Sequence, residues 1–308
     1  MNLILRPQSP SDYTAIAEME SALFGFPITP ANVAAQEADQ PFCGIVAELD
    51  GHLVGRGFAG HMKRHTPAGD MRVELGVRPE FRQQGIGRQL WMALQPFFAE
   101  QQPRHLRANG TDEQPEIVAW ALRLGFQATH HLLFQSLDVR AFDPAPWQAQ
   151  AAAGVQCVPF TELKSPAAER RLHALYQEFL SQTPDAAEAP YMDFEPWRAW
   201  AFEGAGAWPG GCLMAMDDRG EWLGFTLMQK DGADRAHVFM TGVVPEYRGR
   251  GVSTLLKVAA ALRARAEGIG KLTTLNHAAN ERIVAVNRRM GYQVDQGIHR
   301  LVKRYADG

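Results

Sequence analysis

The sequence predicts an α+β fold, a mixed α/β sheet flanked by helices, built twice in tandem as an internal pseudo-dimer. Three observations predict it: two glycine-rich segments at a constant offset, the same alternation of strand and helix periods in each half, and a Pro/Ala-biased stretch between the halves. The segment Gly76-Val77-Arg78-Pro79-Glu80-Phe81-Arg82-Gln83-Gln84-Gly85-Ile86 is echoed by Gly242-Val243-Val244-Pro245-Glu246-Tyr247-Arg248-Gly249-Arg250-Gly251-Val252, every pair 166 residues apart. The same offset pairs Leu90 with Leu256, Leu106 with Leu272, Arg123 with Arg289, Gly125 with Gly291 and Phe126 with Tyr292. Upstream, Gly51 and Gly55 pair with Gly220 and Gly224 at an offset of 169, and Arg6-Pro7 with Val158-Pro159 at 152. The second copy therefore carries extra length, placed between 184 and 211. The predicted division is 1–142, a linker at 143–154, and 155–308.

The elements follow in order. Leu3 to Leu5 reads as a strand ending before Pro7, and Ser11-Asp12 as the cap of a helix with Ile16, Met19, Leu23 and Phe24 on one face. Gly44 to Leu49 and His52 to Gly60 form a hairpin about Asp50-Gly51. A strand at Arg72 to Val77 leads through the glycine segment to a helix carrying Leu90, Ala93 and Leu94 inward, which Pro96 is expected to stop early. A strand at Leu106 to Asn109, a helix at Glu116 to Arg123, a turn at Gly125 and a strand at His131 to Leu137 complete the first copy. In the second, Leu213 to Met216 and Trp222 to Gln229 pair across Arg219-Gly220, Ala236 to Val243 bears the glycine segment, and Leu272 to Asn276 follows its helix.

Composition narrows the function. The chain has 308 residues, 46% hydrophobic and 21% charged, with net charge -3. A near-neutral balance without blocks of like charge gives no footprint for nucleic acid or an anionic membrane. The apolar runs fall far short of the ~20 residues of a membrane span, and the start lacks a signal-peptide pattern, so a cytoplasmic location is expected. Cys43, Cys157 and Cys212 are scattered and read as buried thiols. No histidine stands at metal-ligand spacing, and no metal is expected.

Both glycine segments lie between a strand and a helix, where small residues let backbone N–H groups converge on one point beside the positive end of the helix dipole. A pyrophosphate satisfies that geometry. The third glycine of a dinucleotide fingerprint is absent, with Leu90 in its place, and so is the Lys-Ser/Thr pair of a magnesium-bound triphosphate. The pattern Arg/Gln-x-x-Gly-x-Gly/Ala after Val-x-Pro-Glu-x, from which Ser253 departs, with Gly-Phe or Gly-Tyr some forty residues later, resembles the acetyl-CoA-binding signature of the GCN5-related N-acetyltransferase (GNAT) superfamily. The tandem arrangement is similar to its two-domain, mycothiol-synthase type. The resemblance implies two GNAT-like acyl-CoA N-acyltransferase domains and direct transfer of acetyl from acetyl-CoA to an amine. It also implies cofactor contacts from Val77, Arg78, Arg82, Gln83, Gln84, Gly85, Ile86 and Gly87 in the first copy. In the second, the matching contacts are Val243, Val244, Arg248, Gly249, Arg250, Gly251, Val252 and Ser253. In this superfamily an Asn eleven residues before the Gly-aromatic pair touches the cofactor arm and a Tyr four residues before it serves as acid. Here those positions hold Asn280 and Asn287 in the second copy, and Gln114 and Ala121 in the first.

The halves are thus expected to be unequal. The first has the cleaner loop, Gly87 against Ser253. The second has Asn280, and Asn287 as a donor but not a proton source to the leaving sulfur, and it is the half expected to catalyse. Glu74 is the candidate base of the first copy; the second has Met240 there, which leaves His237 or the region near Tyr305. The aromatics Tyr191, Phe194, Trp197, Trp200 and Phe202 form either core or a wall over the acceptor, and Glu188, Asp193 and Glu195 either meet a cationic amine or are simply solvated. The function so read is an N-acetyltransferase acting on a small-molecule amine, with no nucleic-acid or membrane partner and an internal pairing that allows a monomer. Two alternatives stay open: a coenzyme A-binding regulatory or structural protein with degenerate sites, and a protein N-acetyltransferase.

Overall fold

Asp50 and Gly51 adopt the successive positive φ values, 49° and 83°, that a two-residue turn requires, and close the first hairpin where the sequence places it. The computed structural model describes residues 2–25, 28–37, 41–61, 69–148, 154–183 and 191–305. In chain order the elements are β1 (Leu3–Pro7), α1 (Tyr13–Phe24), α2 (Pro30–Gln36), β2 (Phe42–Leu49), β3 (His52–Gly60), β4 (Asp70–Val77), α3 (Ile86–Gln101), β5 (His105–Thr111) and α4 (Pro115–Arg123). They continue with β6 (Gln127–Asp138), α5 (Ala145–Gln148), β7 (Val155–Pro159), α6 (Pro166–Ser181), α7 (Phe194–Phe202), β8 (Ala207–Asp217) and β9 (Trp222–Lys230). The last are β10 (Arg235–Val243), α8 (Val252–Ala266), β11 (Lys271–His277), α9 (Glu281–Arg289) and β12 (Gln293–Arg304). No described helix is long and apolar enough to cross a membrane.

The chain folds into two units whose limits differ from those of the sequence copies. Unit 1 comprises Met1–Gly110, Gln114–Thr129 and His299–Gly308; unit 2 comprises Thr111–Glu113 and His130–Ile298. Unit 1 orders its strands β1-β2-β3-β4-β5 and then the end of β12; unit 2 orders them β6-β11-β10-β9-β8-β7. The last strand of the first copy therefore does not complete the first copy's sheet, as its position in the sequence suggests. It pairs antiparallel with β11, from Lys271↔Asp138 to His277↔Leu132. In unit 1 the vacant place goes to the end of the chain, where Leu301 is 1% exposed in a core with Leu106, Phe98, Phe126 and Met71. Gly110 makes room for it: a Cβ there would lie 2.6 Å from Val118 and 3.6 Å from Leu301. Alternating apolar residues satisfy either sheet equally, so periodicity alone cannot choose the partner.

In unit 1, α3 buries Leu90, Leu94 and Phe98 against the sheet. It runs straight through Pro96 rather than stopping there. Pro96 and Met92, whose carbonyl loses its partner, are both on the exposed face, where water replaces the missing donor. In unit 2 the sheet has two apolar faces. One packs α8 through Leu256, Ala260 and Ala264; the other packs α6 and α7 through Leu172, Phe179, Trp197 and Phe202. This second layer follows from the aromatics of the extra segment, and a fully buried Trp such as Trp197, 0% exposed, contributes ~3 kcal/mol or more by removing its surface from water.

Candidate active site

Strand β10 pairs with β11 only from Arg235↔Lys271 to Val238↔Thr274. On its other side the ladder with β9 slips between Val238 and Met240, so Phe239 is an extra, bulged residue. From Phe239 to Val243 the strand has no ladder partner on the β11 side. Its outward N–H and C=O groups form an open strand edge inside a sheet, which an extended, amide-bearing ligand arm can satisfy. Unit 1 opens in the same way: β4 pairs with β5 only over Asp70–Arg72, but its ladder with β3 runs from Gly60↔Arg72 to Gly55↔Val77 without a slip.

At the end of each open strand stands the glycine loop. A short 3-10 turn, Pro79–Phe81 or Pro245–Tyr247, is followed by an arginine that donates back to the strand: Arg82 Nε to Val77 O at 3.2 Å, and Arg248 Nε to Val243 O at 3.0 Å. Arg248 also donates to Gln182, which caps the end of α6. Gly85 and Gly251 then cap α3 and α8 at φ 81° and 85°, with no side-chain cap bond. The first N–H groups of each helix have no intrahelical acceptor and face the loop end, which together with the dipole makes an anion seat. Position 83 holds Gln at φ 61°, where unit 2 has Gly249 at 79°.

Aromatic rings line the other side of β10. His237 stacks on Phe134 at 6.2 Å and meets Phe239 edge-on at 4.6 Å, and Phe239 meets Trp200 of α7 at 5.1 Å. Tyr176 backs Trp200 at 5.9 Å, and burial pushes its phenol up to about 12, so it stays protonated. Thr273 Oγ1 lies 2.9 Å from His237 Nδ1 and 3.4 Å from Ala236 O, so the hydroxyl fixes the orientation of the ring. Burial holds His237 down at about 4, so the ring is neutral near pH 7.

Comparison with known proteins places both halves of the chain in one family. A model described as Acetyltransferase (GNAT) family matches residues 172–292, and one described as Acetyltransferase (GNAT) domain matches residues 40–128. The chain belongs to the GNAT family. It holds two GNAT domains in tandem, and this family uses acetyl-CoA. It is 27% identical to the mycothiol acetyltransferase of Saccharopolyspora erythraea over 80% of this chain and 81% of that one. It is 35% identical to the mycothiol acetyltransferase of Propionibacterium freudenreichii over 28% of each chain. Its fold matches a tandem GNAT protein from the clavulanic acid biosynthesis pathway with a TM-score of 0.67 and 21% identity, covering the whole of both chains.

The structure places the sequence-derived GNAT residues unequally. Val243, Val244, Arg248, Gly249, Arg250, Gly251, Val252 and Ser253 lie together at the strand end and loop of unit 2; Val77, Arg78 and Arg82 to Gly87 do so in unit 1. Asn280 caps α9, its side chain accepting from Ile283 N at 3.3 Å, which leaves its amide nitrogen as the donor toward an arm. Asn287 is 0% exposed, and its Nδ2 donates to Gln135 Oε1 at 2.9 Å and to Asn276 Oδ1 at 2.8 Å. Both N–H groups of that amide are therefore committed, and none remains for a leaving sulfur. Asn287→Ala leaves the buried Gln135 Oε1 and the part-buried Asn276 Oδ1 without this donor; denaturant unfolding is expected to show a loss of ~2–4 kcal/mol, with any loss of turnover following the fraction unfolded. A large fall in kcat at unchanged stability would instead give Asn287 a chemical role.

Glu74 is held by Arg72 at 2.6 Å and sits near the buried Glu20–Arg56 pair, while Met240 at its equivalent joins the α6–α7 core. Tyr305 packs on Phe98 inside unit 1. Of the aromatic segment, Trp197 and Phe202 are core, Phe194 and Trp200 are partly buried against that core, and Tyr191 is exposed. Glu188 lies outside the described residues, and Glu195 pairs with Arg198 at 3.3 Å. Sequence reasoning missed Phe239 and Thr273. A bulge leaves no composition signal, and Thr273 matters only through its partner across the parallel pair.

Proposed function

We propose that unit 2 carries out the acetyl transfer of this N-acetyltransferase, to the amine of a small molecule bound between β10 and α7. The observation that carries the reading is the bulge at Phe239 on the split strand. It breaks the ladder where an acyl group would lie and turns an aromatic side chain toward Trp200. Unit 1 has the opening without the slip.

Acetyl-CoA supplies an activated acetyl group. The residues of the chain do the rest. Backbone N–H groups along Phe239–Val243 are aligned to bind the arm and to donate to the acyl oxygen, and the loop at Gly249–Val252 seats the phosphates. His237 Nε2, held neutral and oriented by Thr273, accepts a hydrogen bond from an attacking amine and takes its proton directly or through water. The rings of Trp200, Phe239 and Phe134 exclude water from one side. An aromatic wall beside the strand opening favours a small acceptor over an extended polypeptide, and the modest identity to mycothiol acetyltransferases makes an acceptor of that kind the first to test.

The test is thiol release from acetyl-CoA against a panel of amines, amino sugars, cysteine conjugates and a histone-type peptide. Turnover with one small-molecule class supports the reading; turnover with peptide alone or with no amine overturns it. On the active substrate, His237→Ala is expected to lower kcat on the order of 100-fold with little change in KM for acetyl-CoA. Because burial holds His237 near 4, the kcat/KM profile of the wild type should show no acid limb near the usual histidine value of 6.5. A limb there that disappears in the alanine variant would overturn the assignment.

A further inference from the structure

One position of the repeat places opposite charges beside the two loops. Offset 166 pairs Arg282, on α9, with Glu116, on α4. In unit 2, the Arg282 guanidinium reaches the glycine loop: a Cβ built on Gly249 would lie 3.8 Å from its Nη2. Arg282 forms no ion pair among the described residues. Arg250, which stands over the Tyr247 ring at 5.1 Å, and Arg248 complete a set of three cations around this loop. In unit 1 the equivalents of Arg250 and Gly249 are Gln84 and Gln83, and Glu116 Oε1 lies 3.6 Å from Arg82 Nη1. A carboxylate there pairs with Arg82, though not with Arg78 or Arg88 on either side of the loop, and meets an incoming phosphate with like charge. Glu80 and Glu246 stand at equivalent positions and cancel in the comparison.

We propose that Arg282 and Glu116 decide which loop of the chain takes the cofactor: Arg282 is a phosphate-binding residue of unit 2, and Glu116 excludes the polyphosphate from unit 1. The inference rests on the acetyltransferase reading and adds what that reading leaves open, the stoichiometry and the residues that set it. A coenzyme A molecule brings a diphosphate and a further phosphate, so one cation gained and one anion removed at contact range act on several charges at once. The side chain of Gln83, in place of bare glycine backbone, adds a steric reason for the same preference.

Calorimetric titration of the full chain with coenzyme A tests it at low and at moderate salt. The wild type is expected to bind one equivalent. Arg282→Glu should weaken that site at least ~10-fold, Arg282→Lys should keep most of the affinity, and Glu116→Arg should add a second equivalent whose affinity falls as salt rises. Two similar sites in the wild type, an Arg282→Glu affinity within about twofold, or a single site in Glu116→Arg would overturn the inference while leaving the acetyltransferase reading intact. Failure of the wild type to bind coenzyme A at all would sink both. Unchanged melting curves confirm that the variants are folded, since both side chains are solvent-exposed.

Discussion

Gly251→Val is expected to lower kcat/KM for acetyl-CoA by ~100-fold or more, equivalent to about 2.7 kcal/mol of transition-state binding, while Gly85→Val leaves it within about threefold. Gly251 and Gly85 both cap their helices in the left-handed region, at φ 85° and 81°. A β-branched residue there costs ~1–2 kcal/mol, which the backbone relieves by rotating out of that region. The rotation turns the N–H groups of the loop and first helical turn away from their common focus, so the anion seat is lost though the helix remains. Strain is alike in the two units, and both variants should lose a similar few degrees of Tm. Only the activity separates them, because on the proposed reading the loop of unit 2 alone serves the reaction. Steady-state kinetics with thermal melts decide it: an inactive Gly85→Val beside an active Gly251→Val would move catalysis to unit 1.

Arg56→Met is expected to cost ~3–5 kcal/mol of stability in unit 1, and Arg56→Met with Glu20→Leu to recover most of that loss. Arg56 and Glu20 are 1% and 3% exposed and joined at 2.7 Å; Arg56 also donates to Gln8 and lies over Phe58. Glu20 Oε2 and Arg56 Nη2 find no partner among the described residues, so the pair contributes little beyond its own desolvation cost. Removing one charge strands the other. Desolvation already raises the Glu20 carboxyl, and without Arg56 it rises further. The folded state then holds a proton more tightly than the unfolded chain. The single variant therefore loses stability as pH climbs above the ordinary carboxylate range, and its deficit should be smaller at pH 5 than at pH 8. Urea unfolding at both values checks the sign; a double variant no more stable than Arg56→Met would show that the charges contribute net stability.

The distribution of glycine and apolar residues along the chain made much of the fold visible in advance. Gly51, Gly85, Gly249 and Gly251 all occupy positive φ, a demand so local that the residue itself reports it. The amphipathic periods of α3 and α8 follow from a single helix lying on a single sheet, and hence Leu90 and Leu256 are buried alike. Asn287 shows the limit of the same method. Its spacing from Gly291 matches a functional position, but spacing does not reveal that Gln135 and Asn276 take both of its N–H groups. Pro96 shows another: a helix breaker is overruled when the carbonyl it deprives is exposed and the apolar face on both sides is buried.

By itself the sequence determined the duplication, the two glycine loops, the hairpins that precede them and the acetyl-CoA chemistry that such loops serve, because each of these is written in residues close together along the chain. The tertiary structure alone decided which strand closes each sheet, where β10 slips to bulge Phe239, which hydroxyl orients the ring of His237, and whether a cation or an anion stands beside each loop. Those outcomes depend on pairs such as Leu137 with Leu272, Thr273 with His237 and Arg282 with Gly249, which are brought together only when burial of the shared cores fixes the register of distant strands and helices.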